Sequence, residues 1–128
     1  MEVRLAEGRC HLNFVLDLAS LAHGLGCFVT LENPLGSTAW TQKRTRHALS
    51  MPHWHSARLH QCRMGLRGPE GGLHLKPTLI KTTCPELAAA LSKECTKDHL
   101  HELVQGSATA ASQEYPPRMA SAIASVVL

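Results

Sequence analysis

The stretch Cys27-Phe28-Val29-Thr30-Leu31-Glu32-Asn33-Pro34 decides the fold of this chain. A short run of β-favouring residues ends at Glu32, and turn-forming residues follow. Such a run between turn signals is typical of a strand covered on both faces, as in a parallel sheet. Because proline has no N–H to donate, we expect Pro34 to end the pairing. The sequence therefore predicts a buried strand over residues 27–32, with Glu32 at the carboxyl end, where open α/β sheets bind ligands.

The composition predicts one folded domain over residues 1–128. Hydrophobic residues make up 44% of the chain and charged residues 18%, which excludes a mainly disordered protein. No apolar run reaches the length of a membrane span, and the first residues do not resemble a secretory signal. The five cysteines form no Cys-x-x-Cys pair, which favours reduced thiols. We therefore expect an intracellular protein, in the nucleus or the cytoplasm, without a membrane partner.

The charge is distributed unevenly along the chain. No acidic residue lies between Glu32 and Glu70, although this interval is rich in basic side chains and histidines. A stretch whose charged side chains are all basic places positive potential on one side of the fold, which favours binding of DNA or another polyanion. The alternative is a solvated basic helix that binds nothing. The basic residues expected to contact nucleic acid are Lys43, Arg44, Arg46 and Arg58.

The hydrophobic spacing predicts an alternation of helices and strands. Two of the predicted strands are joined by a glycine-rich loop, which favours an antiparallel hairpin. The order indicates an α/β fold with a parallel sheet of about three strands, the last two forming the hairpin, flanked by helices. The predicted helices cover residues 11–23, 37–49 and 86–93, and a last helix begins at Pro116-Pro117. The predicted strands cover residues 27–32, 57–64 and 78–82.

A group of thiol and imidazole side chains predicts a metal site. Cys95, His99 and His101 lie close together in an irregular segment, and Cys62 lies on a strand that could approach them. Thiolate and imidazole ligands at such spacing complete tetrahedral zinc sites, which order segments without regular structure. The alternative is a chance grouping, since the chain has nine histidines.

Four short motifs, taken in order, resemble the carboxyl-terminal half of cytosine-5 DNA methyltransferases, especially the phage-like and mobile-element-associated branch. Glu32-Asn33-Pro34 resembles the Glu-Asn motif at a strand end, and Gln61-Cys62-Arg63 resembles the start of the Gln-x-Arg-x-Arg strand. Gly65 with Lys76-Pro77-Thr78 is similar to the hairpin of the phage-like branch. Tyr115-Pro116-Pro117-Arg118-Met119 is similar to the opening of the family's last helix. The resemblance covers residues 27–128.

This resemblance implies the second half of a Rossmann-like methyltransferase fold with a base pocket. Glu32 would hydrogen-bond an extruded cytosine, Asn33 would order the loop behind it, and Arg63 would contact the base. Gln61 would join Arg63 at the nucleic acid. The phage-like branch also has a cysteine on the hairpin strand and a Cys/His pair near the positions of the proposed zinc ligands.

Two parts of a working methyltransferase have no counterpart in the chain. No cysteine follows a proline, so the Pro-Cys nucleophile is missing, and no predicted strand leads through a glycine-rich turn into a helix, as the family's cofactor loop requires. The resemblance therefore implies a truncated, inactive domain that binds S-adenosylmethionine only when completed by an N-terminal half. Two alternatives are a nucleic-acid-binding, zinc-binding module of a mobile-element polyprotein, and an interaction protein whose open sheet edge pairs with another half or with itself.

Overall fold

The computed structural model describes residues 2–104 and 114–128. Within them, the chain forms four helices, three strands and two 3-10 turns at Thr38–Thr41 and Gln61–Met64. The elements are α1 (Glu2–Gly24), β1 (Thr30–Pro34), α2 (Lys43–Leu49), β2 (His55–His60), β3 (Pro77–Thr82), α3 (Pro85–Leu91) and α4 (Pro117–Val127).

The three strands form one sheet in the order β1-β3-β2, and both neighbouring pairs are antiparallel. This confirms a mixed α/β protein with three strands and an antiparallel β2–β3 pair. The predicted parallel pairing is wrong, because β3 lies between β1 and β2. These two strands do run in the same direction, but each is bonded to β3 and not to the other.

The prediction for the first strand is also corrected. The strand begins at Thr30 and lies at an edge of the sheet. None of its residues is buried, since the core helix α3 packs on β2 and β3. Pro34 does not end the pairing, since it lies opposite Thr78. An edge strand tolerates proline where the missing N–H is on the unpaired side.

One face of the sheet carries the hydrophobic core. Burial alternates along β2 and β3, so every second residue of these strands contacts the helices. Leu91 of α3 and Met119 of α4 are almost fully buried against this face. Full burial of side chains of this size stabilises the fold by roughly 1.5–3 kcal/mol each. The cluster comprises Ala57, Leu59, Met64, Ile80, Cys84, Leu87, Ala88, Leu91 and Met119.

Helix α1 is longer than the predicted 11–23 and lies mostly in solvent. Leu16 and Ala19 are its buried side chains among the described residues, whereas large apolar side chains such as Phe14 and Leu21 are exposed. Although α1 has 23 residues, none of the described helices combines the length and the apolar character that crossing a membrane requires.

The predicted helix over 37–49 is divided in two. Ser37 Oγ accepts a hydrogen bond from the Ala39 N–H and begins the first 3-10 turn. The extended conformation of Gln42, with φ −64° and ψ 137°, then separates this turn from α2. The predicted strand over 57–64 also ends early, at His60. The chain then enters the second 3-10 turn, which ends at Gly65 with a left-handed φ of 78°.

Candidate metal centre

The second 3-10 turn brings a thiol toward the segment that follows α3. Cys62 is buried in this turn, whereas Cys95, His99 and His101 come from the segment of little regular structure after Leu91. One ligand atom from each of these four residues lies within 4.8 Å of all the others. The predicted convergence of these residues is therefore confirmed, and the group could hold a metal ion.

Two of the distances within the group match the edges of a tetrahedron. Cys95 Sγ lies 3.5 Å from His99 Nε2 and 3.4 Å from His101 Nε2. With Zn–S of about 2.3 Å and Zn–N of about 2.05 Å, a tetrahedral site separates sulfur and nitrogen ligands by about 3.6 Å. His99 Nδ1 lies 2.8 Å from Asp98 Oδ1, and such a carboxylate fixes the orientation of a metal-binding imidazole.

The backbone before the site is attached to the end of β2. The Cys95 N–H donates to His60 Nδ1 at 2.7 Å, and Arg63 Nη1 donates to the Glu94 carbonyl at 2.8 Å. His60 and Arg63 lie on either side of Cys62 in the sequence. Their bonds to the backbone of Glu94 and Cys95 therefore hold Cys95 close to Cys62, although neither His60 nor Arg63 is a potential ligand.

The backbone after the site is attached to the glycine-rich loop. The Glu102 N–H donates to the Leu73 carbonyl at 2.7 Å, and Glu102 Oε1 accepts from the Glu70 N–H at 2.8 Å. Gly68 and Gly72 pack so closely on Glu102 that a β-carbon at either position would meet its side chain. The four potential ligands thus lie where three irregular segments meet.

The free Cys62 thiol resists ionisation, whereas the neighbouring Asp98 carboxylate is held in its charged form. Burial, and then the neighbouring Cys95 thiol, raise the pKa of Cys62 to about 11. The Thr96 hydroxyl and the His99 ring lower the pKa of Asp98 by hydrogen bonding to its carboxylate. A thiol that resists ionisation alone becomes a thiolate when a metal ion replaces its proton.

The residues predicted for catalysis, Glu32, Asn33 and Arg63, are not hydrogen-bonded to one another among the described contacts. Glu32 lies on β1, and its Oε1 accepts a hydrogen bond from the Tyr115 hydroxyl at 2.7 Å. Arg63 lies in the second 3-10 turn, where its guanidinium bonds to Glu94. Asn33 follows Glu32 on the edge strand and lines a cavity beside it.

The residues predicted to bind nucleic acid fall into different environments. Gln61 is completely buried and donates to Thr78 Oγ1 at 3.0 Å. Arg44 forms an ion pair with Asp17 of α1. Lys43, Arg46 and Arg58 are exposed.

Sequence reasoning missed a cavity of about 250 Å³ between α1, β1 and α2. Glu32, Asn33 and Trp40 line it together with Thr45, whose buried Oγ1 has no hydrogen-bond partner among the described residues. The sequence also did not predict the contact of Tyr115 with Glu32, which spans 83 positions of the chain. No local sequence pattern signals a contact of that range.

Comparisons with models of protein families, with curated proteins and with solved structures found no significant match to this chain. The arrangement of its own side chains is therefore what bears on its function.

Proposed function

We propose that this chain is a zinc-binding domain that binds nucleic acid. The observation that carries the proposal is the convergence of Cys62, Cys95, His99 and His101 within 4.8 Å. Two thiolates and two imidazoles form one of the usual ligand sets of structural zinc. A nearby carboxylate, that of Asp98, orients one of the imidazoles.

The role of the metal is structural. Catalytic zinc sites keep one position open for water or substrate, whereas four protein ligands close the tetrahedron. The segment from Ser92 to Val104 contains no helix or strand, and its β-pairing with the rest of the described chain consists of isolated bridges. Binding of zinc would therefore supply stability that this segment does not obtain from regular secondary structure.

Charge supports the assignment of nucleic acid as the partner. The interval between Glu32 and Glu70 contains no acidic residue, and the formal net charge of the chain is +3. Several of the basic side chains of this interval, including Lys43, Arg46 and Arg58, are exposed. Exposed lysine and arginine side chains bind phosphates and release counterions, which makes binding dependent on salt.

The metal is tested by elemental analysis of the purified protein and by cobalt substitution. We expect one zinc per chain and, with Co²⁺, the absorption bands of tetrahedral thiolate coordination. Cys95→Ser should abolish both signals, whereas Cys27→Ser is the matched control, since Cys27 is exposed and outside the group. Absence of stoichiometric metal, or signals that survive Cys95→Ser, would contradict the metal site.

A relic base pocket, as in cytosine-5 DNA methyltransferases, is the second candidate function. The parallel directions of β1 and β2, with β3 inserted, are compatible with the end of a Rossmann-like sheet. The cavity beside β1 combines the Asn33 amide, the Trp40 ring and the Thr45 hydroxyl, which has no partner among the described residues, and Glu32 precedes Asn33 on the strand that lines it. Such groups could read the polar edge of a base and stack on its face.

The base pocket is tested with 2′-deoxycytidine, using chemical shift changes of the tryptophan indole N–H groups. We expect saturable shifts at Trp40 that Glu32→Gln removes and that 2′-deoxythymidine does not produce. Calorimetric titration with S-adenosylmethionine should show no binding, because the chain has no cofactor loop. Equal responses to both nucleosides would reject the base pocket and leave the zinc proposal intact.

A further inference from the structure

We propose that single-stranded nucleic acid binds in a groove between α2 and the sheet face opposite the core. This inference rests on the proposed function and adds to it where the strand lies and which residues hold it. The groove has a volume of about 360 Å³, within the usual range of ligand sites. We call it the α2 groove; its lining residues are Trp40, Arg46, Leu49, Ser50, Leu79 and Lys81.

The register of the sheet brings basic side chains to this face. Ala57 of β2 lies opposite Ile80 of β3, and both are buried in the core. Because side chains alternate between the two faces of a sheet, Arg58 and Lys81 point to the other face. Arg58 is paired with Leu79, which lines the α2 groove, and therefore extends its basic surface.

The α2 groove is basic without an acidic neighbour in its lining. Arg46 of α2 and Lys81 of β3 lie on its opposite walls, and none of the lining residues is acidic. The Lys81 ammonium donates to Ser56 Oγ at 2.5 Å, which holds the side chain across the neighbouring strand. Two cations on facing walls, with Arg58 beside them, match a phosphate backbone that runs along the groove.

Trp40 supplies an aromatic surface at the same place. Its indole Nε1 donates to the Pro34 carbonyl at 2.9 Å, so the ring is fixed, and its side chain remains partly exposed. Fixed aromatic rings beside basic side chains are the means by which proteins stack the bases of single strands. A duplex keeps its base faces stacked inside and could not use this ring.

The consecutive basic residues Lys43 and Arg44 do not line the α2 groove. Arg44 faces α1, where it pairs with Asp17 and lines a different cleft. Lys43 lines neither site. The binding surface is therefore formed by Arg46, Arg58 and Lys81, which come from three elements, and not by the consecutive residues Lys43 and Arg44.

The test is binding of the metal-loaded protein to fluorescein-labelled oligothymidine, followed by anisotropy at several salt concentrations. Lys81→Ala, Arg46→Ala and Arg58→Ala should each weaken binding several-fold and reduce the salt slope by roughly 1. Trp40→Leu should weaken binding about tenfold, and Trp40→Phe should restore most of it. Arg9→Ala, at an exposed position on α1 outside the groove, is the matched control and should bind like the wild type. Lys43→Ala tests the alternative surface and should weaken binding less than the groove variants do. Circular dichroism confirms that each variant is folded.

The outcomes separate the two levels of the proposal. If Lys43→Ala loses affinity while the groove variants bind normally, the α2 groove is rejected but nucleic-acid binding stands. If the duplex form binds more tightly than the single strand, stacking on Trp40 is rejected. If the metal-loaded wild type binds no nucleic acid at low salt, the proposed function itself is rejected.

Discussion

The Tyr115 hydroxyl lies 2.7 Å from Glu32 Oε1, and this hydrogen bond joins the residues before α4 to the edge strand β1. Burial, and then the adjacent carboxylate, raise the pKa of Tyr115 well above its usual value of about 10. The neutral phenol is favoured because ionisation would remove the donated proton and place two negative charges side by side.

Tyr115 should therefore titrate at unusually high pH. It is the only tyrosine of the chain, so the ultraviolet absorbance of the phenolate reports on it alone. Glu32→Gln removes the charge and should lower the pKa of Tyr115, whereas Glu7→Gln on α1 should leave it unchanged. A tyrosine that titrates near pH 10 in both the wild type and Glu32→Gln would show that the contact does not form in solution.

The same bond predicts how stability changes in alkaline solution. Below about pH 10 both the folded and unfolded chains keep the phenol proton, and the bond contributes fully. As the pH rises further, the unfolded chain ionises first, so the free energy of unfolding falls. Tyr115→Phe should lower the free energy of unfolding by about 1 kcal/mol at neutral pH. In this variant the free energy of unfolding should also decrease less as the pH rises above about 10, as measured by urea denaturation at each pH.

The stacked rings of His23 and His53 should respond to acid. Their centroids are 3.8 Å apart, and they join the end of α1 to the loop after α2. Burial, and then the nearby His23, lower the pKa of His53. As the pH falls below about 6.5, His53 is protonated in the unfolded chain before it is protonated in the folded one. The free energy of unfolding therefore decreases. His23→Ala should raise the pKa of His53, measured by NMR, and His11→Ala should not.

Removal of metal should lower the thermal stability. An ion present at 100 times its dissociation constant stabilises the folded state by about 2.7 kcal/mol. A chelator should therefore lower the Tm of the wild type by several degrees, and excess zinc should restore it. Cys95→Ser should start from the lower Tm and show no response to the chelator. A wild-type Tm that is insensitive to chelation, although zinc is bound, would show that the ion does not stabilise the fold.

A side chain at Gly68 should displace the carboxylate of Glu102. A β-carbon there would overlap Glu102 Oε2 and Cδ, at the end of that flexible side chain. Gly68→Ala would therefore move the carboxylate away from the Glu70 N–H and cost about 1 kcal/mol for the lost hydrogen bond, measured by urea denaturation. Gly36→Ala meets no atom within 4 Å and is the control. In Glu102→Ala the same change at Gly68 should cost clearly less, since the obstacle is gone.

Elements with local signals could be predicted from the sequence. Pro77, Pro85 and Pro117 are the first residues of β3, α3 and α4, and each proline is a start signal that acts within a few residues. The convergence of the potential metal ligands was also predictable, because Cys95, His99 and His101 are close in sequence and Cys62 lies near the end of a recognisable strand.

Features that depend on distant partners could not be predicted. The run before Pro34 suits a covered strand as well as an edge strand, and only the insertion of β3 decides between them. The charge of Arg44 is neutralised by Asp17, which is 27 residues away. Lys81 became part of a basic groove only through the register of β3 with β2. In each case the physical property belongs to a pair of elements and not to one segment.

The proximity of Cys62 and Cys95 has a consequence for the redox chemistry of the protein. A bound ion would hold both sulfurs as ligands, but without it two neighbouring thiols can be oxidised to a disulfide by oxygen. Such a bond would remove two of the four metal ligands, and added zinc would no longer restore the site until a reductant had opened it. Loss of metal in air would then persist until the disulfide is reduced, so recovery of the site would require a reductant as well as zinc.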